Sequence, residues 1–353
     1  VLLLAGLIPL ILSLQLDKRR HPWLPGLGDA PSAGLDAWLT PLTFAIGVAV
    51  LAVFVRRNRR SPSPILDFRL FQNDVFRTGN YATFFFGSAF MSVTIFLPLF
   101  LVNVLGVSAT RAGAALIPFS LGIVFSATMA GQLVNRIGYR RQIVGGGAVF
   151  LISVVLLALM DADTGYLTIT AYMVLAGLGI GPSMPLFTLA IQNAVDVRFI
   201  GQATSASQFF RQTGATVGAA IMGAVLGTTL GVAFAAIDLP PEVIADPDGS
   251  VEELVSTGGS DLPDRIREAF AARAAERSGA DAAALLAEGE VVAERTASLV
   301  KQAFVDATRR IYWLTAGIMA LATVLAARVP ELPLRTTHDR IEATRDEREK
   351  TSG

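Results

Sequence analysis

The sequence predicts an all-α integral membrane protein, a bundle of membrane-spanning helices, and three observations carry that expectation. The 353 residues are 52% hydrophobic and 16% charged, with a mean hydropathy of +0.54, which is too apolar for a soluble domain of this length. The apolar residues come in runs of about twenty, the length that spans a bilayer. The charges lie in the gaps between runs, most sharply at Gly131–Gln142, GQLVNRIGYRRQ, where Arg136, Arg140 and Arg141 crowd together. An Arg at the centre of a spanning helix costs about 2.5–3.5 kcal/mol, so this basic turn sits at a surface, and the positive-inside rule makes that surface cytoplasmic.

With the turn placed, every crossing acquires a direction. Val1–Leu16 reads as the end of one crossing, so the chain is expected to be the C-terminal part of a longer membrane protein. A Pro/Gly-rich loop, Asp17–Gly34, precedes a second crossing at Leu35–Val55, which Arg56, Arg57, Arg59 and Arg60 stop on the cytoplasmic side. Residues 1–55 thus form a helix pair, and 56–80 a linker whose mixed apolar and charged stretch predicts a helix lying on the membrane. Five crossings are expected within 81–231: Tyr81–Leu105, Arg111–Ala130, Ile143–Met160, Tyr166–Ala190 and Ser205–Gly231. An extracytoplasmic helical loop follows at 232–309. The last crossing falls at 310–328, and 329–353 is a charged, disordered cytoplasmic tail. In the short loops, ten basic residues fall on the cytoplasmic side and four on the other, in keeping with this orientation.

Candidate mechanical positions are glycines and prolines inside the runs. Pro118 lies within one crossing, and GLGIGPSMP places Gly177, Gly181, Pro182 and Pro185 where they should kink or break another. Gly177/Gly181, Gly214/Gly218 and Gly223/Gly227/Gly231 repeat every four residues, presenting smooth faces for close helix approach. Within the basic turn, Gly131 and Gly138 bracket the first half.

The crossing at 205–231 opens with SQFFRQTGATVG. Gln208, Arg211, Gln212 and Ala215 share one helical face, and Arg211 lies about two turns inside. Either it snorkels to the interface or the stripe lines a cavity. An apolar cavity lined by Phe84, Phe85, Phe90, Gln208, Arg211 and Gln212 is the functional expectation.

Enzyme chemistry finds no footing. There is no Cys, the two histidines are His21 and His338, and the crossings hold almost no acid. Gly145–Gly147 follow no strand, and GLGIGP lies inside an apolar run rather than after a strand. No catalytic residue, cofactor, metal site or nucleic-acid partner is expected.

The pattern G-x-L-x-x-R-x-G-x-R-R at 131–141 resembles the loop signature of the major facilitator superfamily, in which an acid usually stands where this chain has Asn135. LFQNDVF, LGVSATRAG, Pro118, that turn, GLGIGPSMP, RQTGATVG and PELPLR follow in an order similar to the C-terminal portion of the fourteen-helix drug:proton antiporter branch. The resemblance implies a helical bundle comprising the second six-helix half plus the preceding inserted helix pair. It implies a proton-coupled exporter of amphipathic or lipophilic small molecules, multi-pass in the bacterial cytoplasmic membrane among its lipids, with a cytoplasmic C-terminus. Gly131, Arg136, Gly138, Arg140 and Arg141 would then form its conformational-switch loop. The alternative is a membrane-embedded sensor or scaffold that binds a partner through the 232–309 loop.

Because the chain lacks Cys, single cysteines report without background. Cys at Asn135 or Phe199 should react only with reagents from the cytoplasmic side, and Cys at Asp163 or Gly258 only from the outside. Outside labelling at 135 would contradict the orientation.

Overall fold

The computed structural model describes residues 67–235, 262–275, 277 and 280–333, together with residues 42, 45–50, 52, 53, 56 and 57. The chain divides into two units, Val1–Arg69 and Leu70–Gly353. In the first, residues 45–50 are helical, within the expected second crossing. The expected first crossing, the Pro/Gly-rich loop, most of the charged tail and residues 236–261 lie outside the described residues.

The regular structure among the second unit's described residues is all helical: α1 (Asp74–Asn103), α2 (Ala109–Ala114), α3 (Leu116–Ile137), α4 (Tyr139–Ala158), α5 (Tyr166–Ile180), α6 (Ser183–Asn193), α7 (Ile200–Ala235), α8 (Leu262–Ala275) and α9 (Ala280–Ala327). With α2 joined to α3 and α5 to α6, six helices among the described residues are long and apolar enough to cross a membrane. In hydrocarbon a backbone group has no water to bond, so each crossing must satisfy its amides internally, which a helix does.

Local signals explain where helices start and bend. Asn73 caps α1, its side chain accepting from the amides of Val75 and Phe76 at 2.9 and 3.1 Å. Residues 74–80, expected to lie on the membrane, are therefore the opening turns of α1, with Val75, Phe76 and Asn80 buried in the bundle. A 3₁₀ turn, Phe68–Gln72, leads into that cap. The helix bends at Ala115, where α2 passes into α3 and Pro118 has no amide to offer the preceding turn. Gly181 and Pro182 separate α5 from α6, so the expected break is present, and Pro185 falls in the first turn of α6, where a missing amide costs little.

The basic stretch differs from its expectation. Helix α3 runs on to Ile137 and α4 starts at Tyr139, so the turn is Gly138 alone, at φ +84°. Only Gly adopts that conformation readily, and a one-residue reversal needs it. Gly131 does not bracket a turn; it lies exposed inside α3 with open space where a Cβ would stand.

In the bundle, α1 packs along α7 and α9, α3 lies on α5, α4 lies on α5 and α9, and α6 sits among α1, α4 and α7. Without water to squeeze apolar surfaces together, such helices associate by close van der Waals fit, which small residues permit. Gly214 and Gly218 of α7 face the backbone of Phe84 and Ser88 on α1, and Gly87 returns the contact against the Arg211 carbonyl. Gly122 of α3 faces the Val174 carbonyl and Gly177 the Phe119 carbonyl, while Gly181 meets Ile123 and Ser126. Gly146 and Gly179 bring α4 onto α5, and Gly147 lies against Phe86, Met319 and Thr323. Gly223, Gly227 and Gly231 form no such face: nothing described lies within 4 Å of a Cβ built there. The four-residue repeat is the same in both sets. What differs is whether a second helix stands opposite.

Hydroxyl bonds reinforce these seams. Ser153 donates to the Tyr172 carbonyl at 2.7 Å, Ser126 to the Gly177 carbonyl at 3.2 Å, and Ser92 pairs with Thr315 at 2.6 Å.

Helix α9 has 48 residues, about 72 Å at 1.5 Å per residue, against a hydrocarbon thickness of about 30 Å. Its first half therefore lies beyond the crossing, and α8 packs back along it. Leu262, Ile266 and Phe270 are buried in that hairpin, with Gly289 under the Phe270 ring. Arg267 grips both Glu290 oxygens at 3.0 Å and Asp264 at 2.7 Å. Leu285, Val292 and Leu299, which recur every seven residues, are offset from the buried stripe, which runs through Gly289, Ala293, Thr296, Val300 and Ala303; Leu299 is exposed.

Substitutions at seam and open glycines should differ in sign. Gly179→Ala and Gly214→Ala each place a methyl against opposing backbone and should lower unfolding stability in detergent by about 1–3 kcal/mol. Gly223→Ala should be neutral or gain up to about 1 kcal/mol from helix propensity.

Candidate functional site

The α5–α6 break and the glycine seam between α1 and α7 shape a cavity of about 140 Å³. Helix α1 contributes Thr83, Phe86, Gly87, Phe90 and Met91, and the α5–α6 break contributes Ile180, Ser183, Met184, Phe187 and Thr188. Helix α7 contributes Ser207, Gln208, Arg211, Gln212 and Ala215. From Gln208 the spacing i, i+3, i+4, i+7 puts Gln208, Arg211, Gln212 and Ala215 on one face, with Ser207 at its edge. Because α7 starts at Ile200, Arg211 is about three turns inside its helix, one turn deeper than the sequence indicates.

Of the residues expected at a cavity, Phe90, Gln208, Arg211 and Gln212 line this one. Phe84 and Phe85 do not: they stack edge to face on one another at 5.3 Å, partly exposed, to the side of it. The aromatic walls are instead Phe86, Phe90 and Phe187, with Phe86 and Phe187 in T-shaped contact at 5.1 Å and Phe90 stacked on Phe119 at 5.9 Å. In the run of three phenylalanines at 84–86, helical rotation of about 100° per residue sends each ring a different way. Phe86 points inward because it lies four residues before Phe90 on the same face. Phe187 escaped notice because the Gly/Pro break resets the helical phase of everything after it.

The polar part of the lining is rich in donors. Arg211 donates to the Gln208 side-chain oxygen and has no carboxylate partner among the described residues. Ser183 spends its hydroxyl on the Ile180 carbonyl at 2.5 Å, and Thr83 donates to Gly79 at 2.8 Å. Among the described residues no cluster of His, Cys, Asp and Glu is able to hold a metal.

At the bundle end that carries Gly138, the chain after α9 folds across the α3–α4 reversal. The Tyr139 hydroxyl, on a side chain that is 1% exposed, donates to the Pro330 carbonyl at 2.7 Å and accepts from the Leu332 amide at 2.6 Å. The Glu331 carboxylate lies over Gly138, and Asn193, at the end of α6, donates to the Pro333 carbonyl at 2.9 Å. A shallow cleft lined by Val134, Asn135, Gly138, Tyr139, Glu331, Leu332 and Pro333 separates strap from turn. Gln192 donates to Thr204 at 2.8 Å and Asn73 to the Ala194 carbonyl at 2.8 Å, so the same end also joins α6 to α7 and to α1.

The three arginines divide between two helix ends. Arg136 is in the last turn of α3, where the helix dipole favours a cation. Arg140 and Arg141 occupy the first turn of α4, where it does not, contrary to the expectation that they lie between helices. All three are exposed, and Glu331 is the acid beside the turn. At the opposite end, Asp161 accepts from the Thr164 hydroxyl at 2.7 Å, and this bond holds its carboxyl below the usual carboxylate range.

Residues 1–219 match the Major Facilitator Superfamily. A Bacillus subtilis "Multidrug transporter protein MdtP" is 32% identical over 61% of this chain and 38% of its own length. "Multidrug resistance protein 3" of the same species is 28% identical over 62% of this chain and 40% of its own length. A Streptomyces rimosus "Tetracycline resistance determinant" is 31% identical over 50% of this chain and 51% of its own length. The chain thus spans between 38% and 51% of the length of these relatives. From the match over residues 1–219 and the six membrane-length helices, this chain is an all-helical, multi-pass membrane member of the Major Facilitator Superfamily.

Proposed function

We propose that the chain is part of a proton-coupled exporter of lipophilic or amphipathic small molecules in a bacterial cytoplasmic membrane, of the fourteen-helix drug:proton antiporter kind. In this reading the Leu70–Gly353 unit is the second six-helix half, and its Gly138 end faces the cytoplasm. The observation that carries the reading is the cavity between α1, α6 and α7, apolar on the Phe86, Phe90 and Phe187 side and hydrogen-bonding on the Gln208, Arg211 and Gln212 side. Such a lining accepts molecules with one apolar face and one polar group. The multidrug and tetracycline names of the relatives support the same reading.

Alternating access requires helices that move as units and seams that release. The glycine seams supply close but side-chain-poor contacts, which can slide without unpicking interdigitated residues. The α5–α6 break supplies a hinge beside the cavity. The turn at Gly138, with its exposed arginines and the Pro330–Pro333 strap, is the switch element: the strap ties the end of α9 to α3, α4 and α6, so these ends move together. Tyr139 is the joint of that clamp, since one hydroxyl both donates to and accepts from the strap.

Efflux of a lipophilic dye from cells expressing the protein should require energy and stop when an uncoupler collapses the proton gradient; uncoupler-resistant efflux would contradict proton coupling. Tyr139→Phe keeps the ring and removes both strap bonds. It should leave membrane abundance near normal, lower efflux by about tenfold, and speed the labelling of a Cys placed at Val134 in the cleft. Unchanged labelling and efflux would return the turn to a purely topogenic role.

A further inference from the structure

The membrane interior of this unit contains no acid. Residues 75–160, 165–195, 197–235 and 307–330 include neither Asp nor Glu. Against that background Arg211 is the charge placed deep within a crossing, about three turns from the start of α7, with its side chain in the cavity wall. Its one polar partner among the described residues is the neutral amide oxygen of Gln208. The donors on its guanidinium fork outnumber what one amide oxygen accepts.

Arg211 is partly buried and Gln208 and Gln212 are exposed; a cation carried that far into a crossing is costly, and the usual resolution is an opposite charge at hydrogen-bonding distance. The rest of the lining does not provide one. Thr83 and Ser183 have spent their hydroxyl protons on backbone carbonyls, and Gln212 adds a neutral amide. The opposite wall is the Phe86, Phe90 and Phe187 surface, which contacts an apolar body and offers no charge. Cavity shape and electrostatics therefore agree on one ligand class.

We infer that the cavity selects amphipathic anions, molecules with a ring-sized apolar body and a carboxylate, sulfonate or phenolate that lies on the Arg211 fork, and discriminates against lipophilic cations. The inference rests on the exporter reading above and narrows its substrate class. A planar anion matches the guanidinium bidentately, which a point charge does not reproduce. A quaternary ammonium, in the same place, meets a positive charge with no acid among the described residues to offset it. The cavity, at about 140 Å³, is close to the size of an engineered apolar cavity that holds benzene.

The test uses three probes of one shape and different charge: benzoate, benzyl alcohol and benzylammonium. Their binding to the full chain in phosphatidylcholine nanodiscs at neutral pH is measured by ligand-observed NMR titration. Benzoate should bind about tenfold or more tightly than benzylammonium, the range expected for a hydrogen bond to a charged group, with benzyl alcohol between. Arg211→Gln should abolish that order, and Arg211→Lys should keep part of it. Equal binding of acid and amine, or a benzoate preference that survives Arg211→Gln, overturns the inference and leaves the cavity reading standing. Binding of none of the three overturns both. Loss of benzoate binding when phosphatidylglycerol replaces phosphatidylcholine would assign Arg211 to lipid headgroups and also overturn the inference.

Discussion

Close approach of α1 and α7 is the constraint on which the rest of this structure depends. Gly214 and Gly218 let α7 lie against the backbone of Phe84 and Ser88, and Gly87 lets the Arg211 backbone come in from the other side. That three-glycine seam fixes the rotation of both helices. It turns Phe86 and Phe90 inward and brings the Gln208, Arg211 and Gln212 face to the same space. In hydrocarbon no solvent drives helices together, so contact distance is bought with missing side chains. The cavity exists because the seam sits at one height while the break at Gly181 and Pro182 leaves room at the next.

The same logic extends to the bundle. The α3–α5 and α4–α5 seams pair glycines with opposing backbone, hydroxyls at Ser126 and Ser153 add one bond to each without adding bulk, and Ser92 bonds α1 to α9. The polar end at Gly138 is held differently. There water is available, and side-chain to backbone bonds from Tyr139, Asn193, Gln192 and Asn73 join helix ends that the apolar seams alone would leave free.

Much of the fold was legible because hydrocarbon imposes a length and forbids charge. Run lengths placed the crossings, and Pro118 and Gly181–Pro182 marked the bends. The limits were read less well where a capping residue, rather than composition, decides: Asn73 starts α1 seven residues before the apolar run begins, and Gly138 confines to one residue a turn that twelve residues of mixed character seemed to fill. The candidate site was half legible. The α7 face follows from helical periodicity and could be read directly. Phe86 lies four residues before Phe90, but choosing that face over the one carrying Phe84 and Phe85 needs the rotation of α1, which its own Gly87 and the glycines of α7 set. Whether Gly223, Gly227 and Gly231 make a seam depends on what stands opposite them, and a sequence does not contain its neighbours.

Arg211 concentrates the account, because its cost to insertion and its place in the cavity wall pull in opposite directions. The measurement that tests this most directly is efflux by Arg211→Leu at matched membrane abundance in cells expressing the protein. The account predicts a variant that inserts and accumulates at least as well as the unaltered protein, since a charge has left the crossing, and that transports nothing. Full efflux by Arg211→Leu would contradict it and leave Arg211 as an anchor that snorkels to the headgroups.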